Sequence, residues 1–342
     1  MRVSRRSIAK PAVLAGLQSI SRWSRLPVDA SPVTATPTEL HVVPAARIAL
    51  GAFVHGAPAD PDRLDAFARQ IDRMPAFVAW YEAWGSNTAV TGKMVSVDRL
   101  RTVTERGATP MIVWEPWDPA SGVDQPGYRL DVIARGDFDA YINSWAYQLA
   151  AYGGRVYLRF AHEMNAPWYP WSVTSNGNTT HDYVAAWRHI RSLFHAAGAS
   201  NVRWVWSPDA GSHGAPPLAH FYPGDDHVDW VALDGYNWGD ALPGATWRSF
   251  PEIFGEAYHA LVGLTSKPVM IAEAASVEQG GDKAAWITRS LERLTSDFPA
   301  VRAICWFNEI KDDLDWAVDS SPTALAAFAA AAQAPSLDGR LP

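Results

Sequence analysis

Short runs of β-branched and aromatic residues alternate with amphipathic stretches along the chain from about residue 47 onward. Runs of this kind are typical of strands. Eight of them predict strands: Arg47–Val54, Phe77–Trp84, Thr109–Trp114, Arg155–Ala161, Val202–Trp206, Asp229–Leu233, Pro268–Ala272 and Val301–Phe307. Between them, apolar residues spaced three and four apart predict helices, most clearly over Asp60–Arg73, Phe138–Tyr152, Asp182–Ala197 and Lys283–Phe298.

This alternation between residues 46 and 330 predicts an α/β fold, a single-domain (β/α)8 TIM barrel. An open doubly wound sheet is the alternative. A dinucleotide-binding sheet of that kind would carry Gly-x-Gly-x-x-Gly after its first strand, and the chain has no such motif there.

The first 45 residues differ from the rest. Ser4–Lys10, with its paired Arg5 and Arg6, resembles the twin-arginine export motif, and Pro27–Pro44 is rich in Pro, Thr, Ser and Ala. We therefore expect residues 1–45 to be an export-signal-like segment and linker, and the protein to be secreted. A disordered basic tail is the alternative. Residues 331–342 are expected to form a C-terminal tail.

Composition excludes several classes of protein. Lys and Arg number 29 against 36 Asp and Glu, a net charge of −7, which disfavours binding to nucleic acid. No apolar run reaches the roughly 20 residues of a membrane helix, so we expect no membrane insertion. The single cysteine, Cys305, excludes an intramolecular disulfide framework and a multi-cysteine metal site. We expect a monomer that needs no cofactor.

Tryptophan is unusually abundant, with 17 residues against 12 Phe and 11 Tyr. Its flat apolar face with one donor suits stacking on sugar rings or bases. Because the charge disfavours nucleic acid, the composition favours carbohydrate as the ligand.

Glutamates close two of the predicted strands, Glu163 after the fourth and Glu273 after the seventh. In a TIM barrel the chemistry lies at these strand ends. The two-residue period of a strand places Arg159 on the face of Glu163, inside the barrel, where it needs an anionic partner such as Glu273. That pairing would keep the pKa of Glu273 low. Two carboxyl groups in different electrostatic fields are what glycoside hydrolysis requires.

Aromatic and polar residues cluster at the same strand ends and are expected to contact the substrate. Those after the fourth strand lie beside prolines, which favour a rigid loop. Trp204 and Trp206, in the middle of a strand, are expected in the core instead. The candidates by strand are Trp114 and Glu115 on the third, Trp168, Tyr169 and Trp171 after the fourth, Asp234, Tyr236 and Trp238 on the sixth, and Trp306 and Asn308 on the eighth.

The string from Leu158 to Trp171, Leu-Arg-Phe-Ala-His-Glu-Met-Asn-Ala-Pro-Trp-Tyr-Pro-Trp, resembles the acid/base motif of glycoside hydrolase family 26. The resemblance covers roughly residues 47–325 and continues in 204–208, 228–236 and 267–273. The family comprises retaining (β/α)8 enzymes that cut β-mannan, mixed-linkage β-glucan or β-1,3-xylan.

The resemblance implies a role for each matching residue. Glu163 would be the acid/base and Glu273 the nucleophile. His162 and Trp168 would line the site beside the acid, with a packed histidine as the alternative for His162. The remaining implied roles are a hydrogen bond from Tyr236 to the nucleophile, Asp234 near it, and Trp306 beneath the −1 sugar.

Two positions depart from the mannanase pattern. Many mannanases have Trp-His at the end of strand three and Trp-Arg on strand eight, where this chain has Trp114-Glu115 and Trp306-Phe307. The prediction is therefore a retaining endo-β-glycanase acting on a β-1,4-linked polysaccharide, with mixed-linkage β-1,3-1,4-glucan favoured. An endo-β-1,4-mannanase is the alternative, and a carbohydrate-binding barrel without catalysis is a remote one.

Metal-dependent hydrolysis in a barrel would call for His-x-His after the first strand, and His55-Gly56-Ala57 fails this test. We therefore predict no metal site. His213, His220, His227 and the acidic pair Asp225–Asp226 fall in a predicted loop and are expected to be solvated.

Overall fold

The structure, a computed structural model, describes residues 47–85 and 94–342. The predictions for residues 1–45 lie outside the described residues. None of the described helices combines the length and apolarity that a membrane crossing needs.

Eight parallel strands close into a barrel in chain order, with β8 pairing back onto β1 from Ala303 to Asn308. This confirms the predicted (β/α)8 fold. The strands are β1 Ala49–Val54, β2 Phe77–Ala83, β3 Thr109–Glu115, β4 Val156–Phe160, β5 Val202–Trp206, β6 Trp230–Asn237, β7 Val269–Ser276 and β8 Val301–Asn308. A short hairpin, β9 Ile310–Lys311 and β10 Leu314–Asp315, follows β8.

Helices surround the barrel, and several begin at residues that cap them. The side chain of Asp60 accepts the Asp62 N–H, and Thr179 forms a capping box with Asp182. The described α-helices are α1 Pro61–Gln70, α2 Val97–Thr104, α3 Leu130–Ala134, α4 Asp139–Tyr152, α5 Thr180–Ala196, α6 Phe250–Leu264, α7 Lys283–Asp297 and α8 Pro322–Ala332.

Strands β6 and β7 run further than the sequence predicts. Their pairing shifts register between Leu233 and Asp234 and continues to Asn237, whose side chain donates to Ser276 Oγ at 3.0 Å. The polar residues that ended the predicted apolar runs are paired strand residues inside the barrel. Asp234 and Glu273 therefore sit on rigid backbone.

The end of the chain packs against the barrel. The Ile48 N–H donates to Ser336 O at 2.7 Å, and the Tyr157 hydroxyl donates to Pro342 O at 2.8 Å. Residues 331–342, the predicted C-terminal tail, thus lie against the N-terminal end of the barrel.

Candidate active site

A fully buried guanidinium lies at the centre of the barrel mouth. Arg159 on β4 donates from Nη1 to Glu273 Oε1 at 3.0 Å, which is the pairing expected from the strand period. Its Nη2 donates to Asp234 Oδ2 and to Ser207 Oγ. Ser207 in turn donates to Asp234 Oδ1 at 3.0 Å. One cation therefore joins strand ends β4, β6 and β7.

Glu273 is held as an anion. The Tyr81 hydroxyl donates to its Oε1 at 2.6 Å, and the Tyr236 hydroxyl donates to its Oε2. Burial alone would raise the pKa of Glu273, but the Arg159 charge and the two hydroxyl donors outweigh burial and bring the pKa below its ordinary value. Glu273 is ionised, positioned and 5% exposed.

Glu163 lies in the opposite kind of environment. Burial raises its pKa well above the ordinary value, and the negative charges of Asp234 and Glu273 raise it further. The side chain accepts the Trp168 indole N–H at Oε2 over 2.5 Å. Glu163 therefore holds a proton at a pH where Glu273 has lost its own.

The backbone at Glu163 is unusual for a residue other than glycine. Its φ is 51°, in the left-handed region, and Ala161 two residues earlier has φ 45°. The Glu163 N–H donates to Ser207 O at 2.7 Å, and this bond fixes the turn against β5. Strain of this kind is typical of functional positions.

Asp234 is fully buried beneath the two glutamates. Burial raises its pKa, against the attraction of Arg159 and the hydrogen bond from Ser207. Within the described residues, donor atoms of His162, Glu163 and Asp234 lie within 4.8 Å of one another, a spacing that a cation could bridge. Arg159 already occupies Asp234, so an added cation would meet a like charge.

His162 is a buried, neutral ring. Burial and the neighbouring Arg159 charge lower its pKa to about 3. Its Nε2 shares a 3.1 Å hydrogen bond with the Tyr169 hydroxyl, and its carbonyl accepts the Trp171 indole N–H at 2.7 Å. These contacts favour the packing role for His162, which fixes the loop after β4.

Glu115 and Phe307 both face the barrel mouth. Burial raises the pKa of Glu115 to about 7, against a 3.2 Å hydrogen bond from the Trp117 indole, and the charge of Glu273 adds to the rise. The Phe307 ring stacks on Phe53 at 4.7 Å. It also meets the Tyr236 ring edge-on at 5.5 Å. The two positions that depart from the mannanase pattern thus lie in the site.

Three tryptophans predicted to contact substrate are buried elsewhere. Trp114 lies outside the barrel, against α4, and donates to the Tyr141 hydroxyl at 3.3 Å. Trp306 packs on Phe328 of α8, so it does not lie beneath a −1 sugar. Trp171 is fully buried under Tyr169, with ring centroids 4.2 Å apart. On β3 and β8 the next residues, Glu115 and Phe307, face the interior in place of Trp114 and Trp306.

Trp168 and Trp238 are the exposed rings of the site, with 41% and 40% of their surface accessible. Trp238 lies beside Tyr236 at 5.9 Å and against Trp316 at 4.8 Å. Asn308 is half-buried and its Oδ1 accepts the Val318 N–H at 2.8 Å, which holds the loop after β8. A direct contact of Asn308 with sugar stays a prediction.

Sequence reasoning missed several residues of the site. Tyr81 on β2 points inward, a signal that the two-residue strand period could have provided. Trp316, in the loop after β10, packs against Tyr236 at 5.1 Å, and nothing in the sequence pattern points to it. His213 is not simply solvated: it bonds Asp209 and packs on Trp168, 45 residues away in the chain.

A closed barrel whose mouth holds one ionised and one protonated glutamate has the pair of carboxyl groups that glycoside hydrolysis uses. Comparison with known proteins agrees. The profile of Glycosyl hydrolase family 26 matches residues 110–322. The chain therefore belongs to glycosyl hydrolase family 26, as the resemblance implies.

Known relatives differ in the substrates that their names give. Endoglucanase H of Acetivibrio thermocellus is 43% identical over 231 residues, which cover 66% of this chain and 24% of that protein. Beta-1,3-xylanase TXYA of a Vibrio species is 29% identical over 201 residues, 55% of this chain and 40% of that protein. The chain thus spans less than half the length of either relative.

The fold likeness extends to solved structures. The structure of Bacillus subtilis mannanase man26 superposes with a TM-score of 0.61 at 20% identity, over 83% of this chain and 85% of that chain. Identity at this level establishes the barrel fold alone.

Proposed function

We propose that the protein is a retaining endo-β-glycanase in which Glu273 is the nucleophile and Glu163 the acid/base. The observation that carries the proposal is the opposite environment of these two buried carboxyl groups. Arg159, Tyr81 and Tyr236 stabilise the charge on Glu273, whereas burial and two like charges keep the proton on Glu163.

The chemistry follows in two steps. Glu273 forms a bond to the anomeric carbon as the bond to the leaving oxygen breaks, and Glu163 gives its proton to that oxygen. Glu163, now ionised, takes a proton from water, whose oxygen attacks the same carbon and releases Glu273. Two inversions restore the β configuration.

The favoured substrate is a β-1,4-linked glucan, with mixed-linkage β-1,3-1,4-glucan ahead of cellulose. Mannose differs from glucose in its axial 2-hydroxyl, and discrimination needs a polar group placed for that hydroxyl. At the two positions that serve mannose in the mannanase pattern, this chain has the apolar Phe307 and the carboxyl group of Glu115. The likeness to an endoglucanase over 231 residues supports the same choice.

Mannan is the second candidate. The motif from His162 to Trp168 is shared with mannanases by resemblance, and the Trp168–Glu163 hydrogen bond that it forms does not discriminate between the epimers. A barrel that binds glycan without catalysis is the third candidate, and the presence of both Glu163 and Glu273 argues against it.

The deciding experiment measures kcat/KM on barley-type β-glucan, carboxymethyl cellulose, glucomannan and galactomannan, with Glu273→Ala as the inactive control. We expect mixed-linkage glucan to be hydrolysed fastest. Galactomannan turned over ten times faster than mixed-linkage glucan, a gap of about 1.4 kcal/mol in transition-state binding, would overturn the choice of glucan. If none of these β-glycans were hydrolysed, the proposal that the protein is an endo-β-glycanase would be overturned.

A further inference from the structure

The turn that follows β5 is fastened to the segment that carries Glu163. The Asn165 amide donates to Asp209 O and to Gly211 O, both at 2.9 Å, and its Oδ1 accepts the Asp209 N–H at 2.9 Å. Three hydrogen bonds from a residue two positions after Glu163 thus fix the turn Asp209–His213 beside the acid.

The conformation of His213, at the end of this turn, is fixed by its neighbours. Its Nε2 bonds Asp209 Oδ1 at 2.5 Å, and its backbone has φ 48°, in the left-handed region. A side-chain carbon at Gly211 would lie 2.7 Å from that Nε2, so only glycine leaves room for the ring. The pKa of His213 is raised by the Asp209 hydrogen bond.

The ring of His213 extends the exposed surface of Trp168. The two rings meet edge-on with centroids 4.7 Å apart, and the Trp168 indole donates to Glu163. No described residue hydrogen-bonds the Nδ1 of His213, and 28% of its side chain is exposed. His213 therefore presents a polar ring edge next to the acid, on the side of Trp168.

Because Glu163 delivers its proton to the leaving oxygen, the surface beside it on the Trp168 side faces the departing half of the glycan. We propose that His213, beside Trp168, contributes to binding of the first sugar on the leaving side, with His213 Nδ1 hydrogen-bonded to a sugar hydroxyl. The assignment rests on the proposed function. A hydroxyl both donates and accepts, so the contact forms with His213 neutral or protonated.

The test compares two substrates that differ only in whether a sugar leaves. The variant is His213→Asn. Asparagine tolerates the left-handed backbone conformation, but it has no ring, and its shorter side chain does not reach the position of His213 Nδ1. We expect kcat/KM on mixed-linkage β-glucan to fall about tenfold, because the variant loses one hydrogen bond and one ring contact to the departing sugar. On β-cellobiosyl fluoride, whose leaving group is a single atom, kcat/KM should stay within twofold.

The matched control is His220→Asn, an exposed histidine of the same region, which should change neither rate. Equal losses of the His213 variant on both substrates would mean that His213 only supports Trp168 and Glu163, and would overturn the proposal. No loss on either would overturn it too. If His213→Asn does not fold, His213→Gly, which accepts the same backbone, is measured and judged in the same way.

A second measurement tests whether a sugar that enters the leaving-side site accepts the glycosyl group from the enzyme. With cellobiose added, wild type should divert part of the glycosyl-enzyme formed from the fluoride to transglycosylation, and the His213 variant should lower that share about tenfold. An unchanged share contradicts the assignment. A wild type that hydrolyses neither of these glucan substrates overturns the proposed glucan specificity, whereas an active wild type with an unaffected variant overturns only the role of His213.

Discussion

The guanidinium of Arg159 contacts some carboxyl groups of this site and not others, and this difference decides which of them ionises. Arg159 contacts Glu273 and Asp234, and no described contact joins it to Glu163. Two tyrosine hydroxyls add to the field at Glu273, whereas Glu163 receives one indole donor. Hydrolysis by the proposed route needs the first group ionised and the second protonated, so activity should lie between their two pKa values.

Removal of the Tyr236 hydroxyl tests whether the hydrogen-bond donors set the pKa of Glu273. Tyr236 stabilises ionised Glu273, so Tyr236→Phe should raise the pKa of Glu273 and move the acid limb of the kcat/KM profile to higher pH. A hydrogen bond to a charged group is worth about 1.5 kcal/mol or more, so the limb should move by about one pH unit. Tyr147→Phe, at an exposed helix position, is the control. An acid limb that stays in place would contradict the role of Tyr236.

At the scale of elements, the sequence predicts the eight strands but not which face of each strand is inside. On β4 the charged Arg159 marks the inner face, so the pairing with Glu273 could be derived. On β3 and β8 apolar residues occupy both faces, because helices cover the outside of the barrel. The pattern then does not indicate which face is inside, so the sequence predicts substrate contacts for Trp114 and Trp306, whereas the structure places both on the outer face of the barrel.

Contacts between loops were beyond sequence reasoning for a different reason. The stacking of His213 on Trp168 depends on the conformation of the turn after β5, and no periodic pattern encodes that conformation. The motif around Glu163 identifies its neighbours along the chain, but not the residues that the fold brings to it.

Helix α7 and the loop after β10 make an element-scale prediction. Lys283 is fully buried, and its Nζ donates to Asp315 O at 3.3 Å and to Ala317 O at 2.6 Å, the residues on either side of Trp316. Lys283→Met should leave these acceptors unpaired and lower the free energy of unfolding by about 2 kcal/mol in urea titrations.

Lys267→Met is the matched control, because Lys267 is only partly buried, and it should change stability by less than about 0.5 kcal/mol. Equal stability of the two variants would show that Lys283 does not hold the Trp316 loop.

At the scale of the molecule, we propose that the first 45 residues act in export and not in catalysis. A variant that begins at residue 46 should keep its full kcat/KM, because every described contact of the site lies in the barrel. Replacement of Arg5 and Arg6 by Lys should abolish the appearance of activity in culture fluid, since the twin-arginine-like run is lost. Undiminished secretion would leave this segment as a basic tail.

The division of labour between the two glutamates is tested most directly with a 2,4-dinitrophenyl β-cellobioside, whose leaving group departs without a proton. Glu163→Ala should still form the glycosyl-enzyme rapidly from this substrate while losing activity on polysaccharide, and added azide should speed turnover and yield the β-glycosyl azide. Glu273→Ala should react with neither substrate. Equal loss on both substrates in the two variants, or an α-glycosyl azide from Glu163→Ala, would contradict the assignment of Glu273 as nucleophile and Glu163 as acid/base.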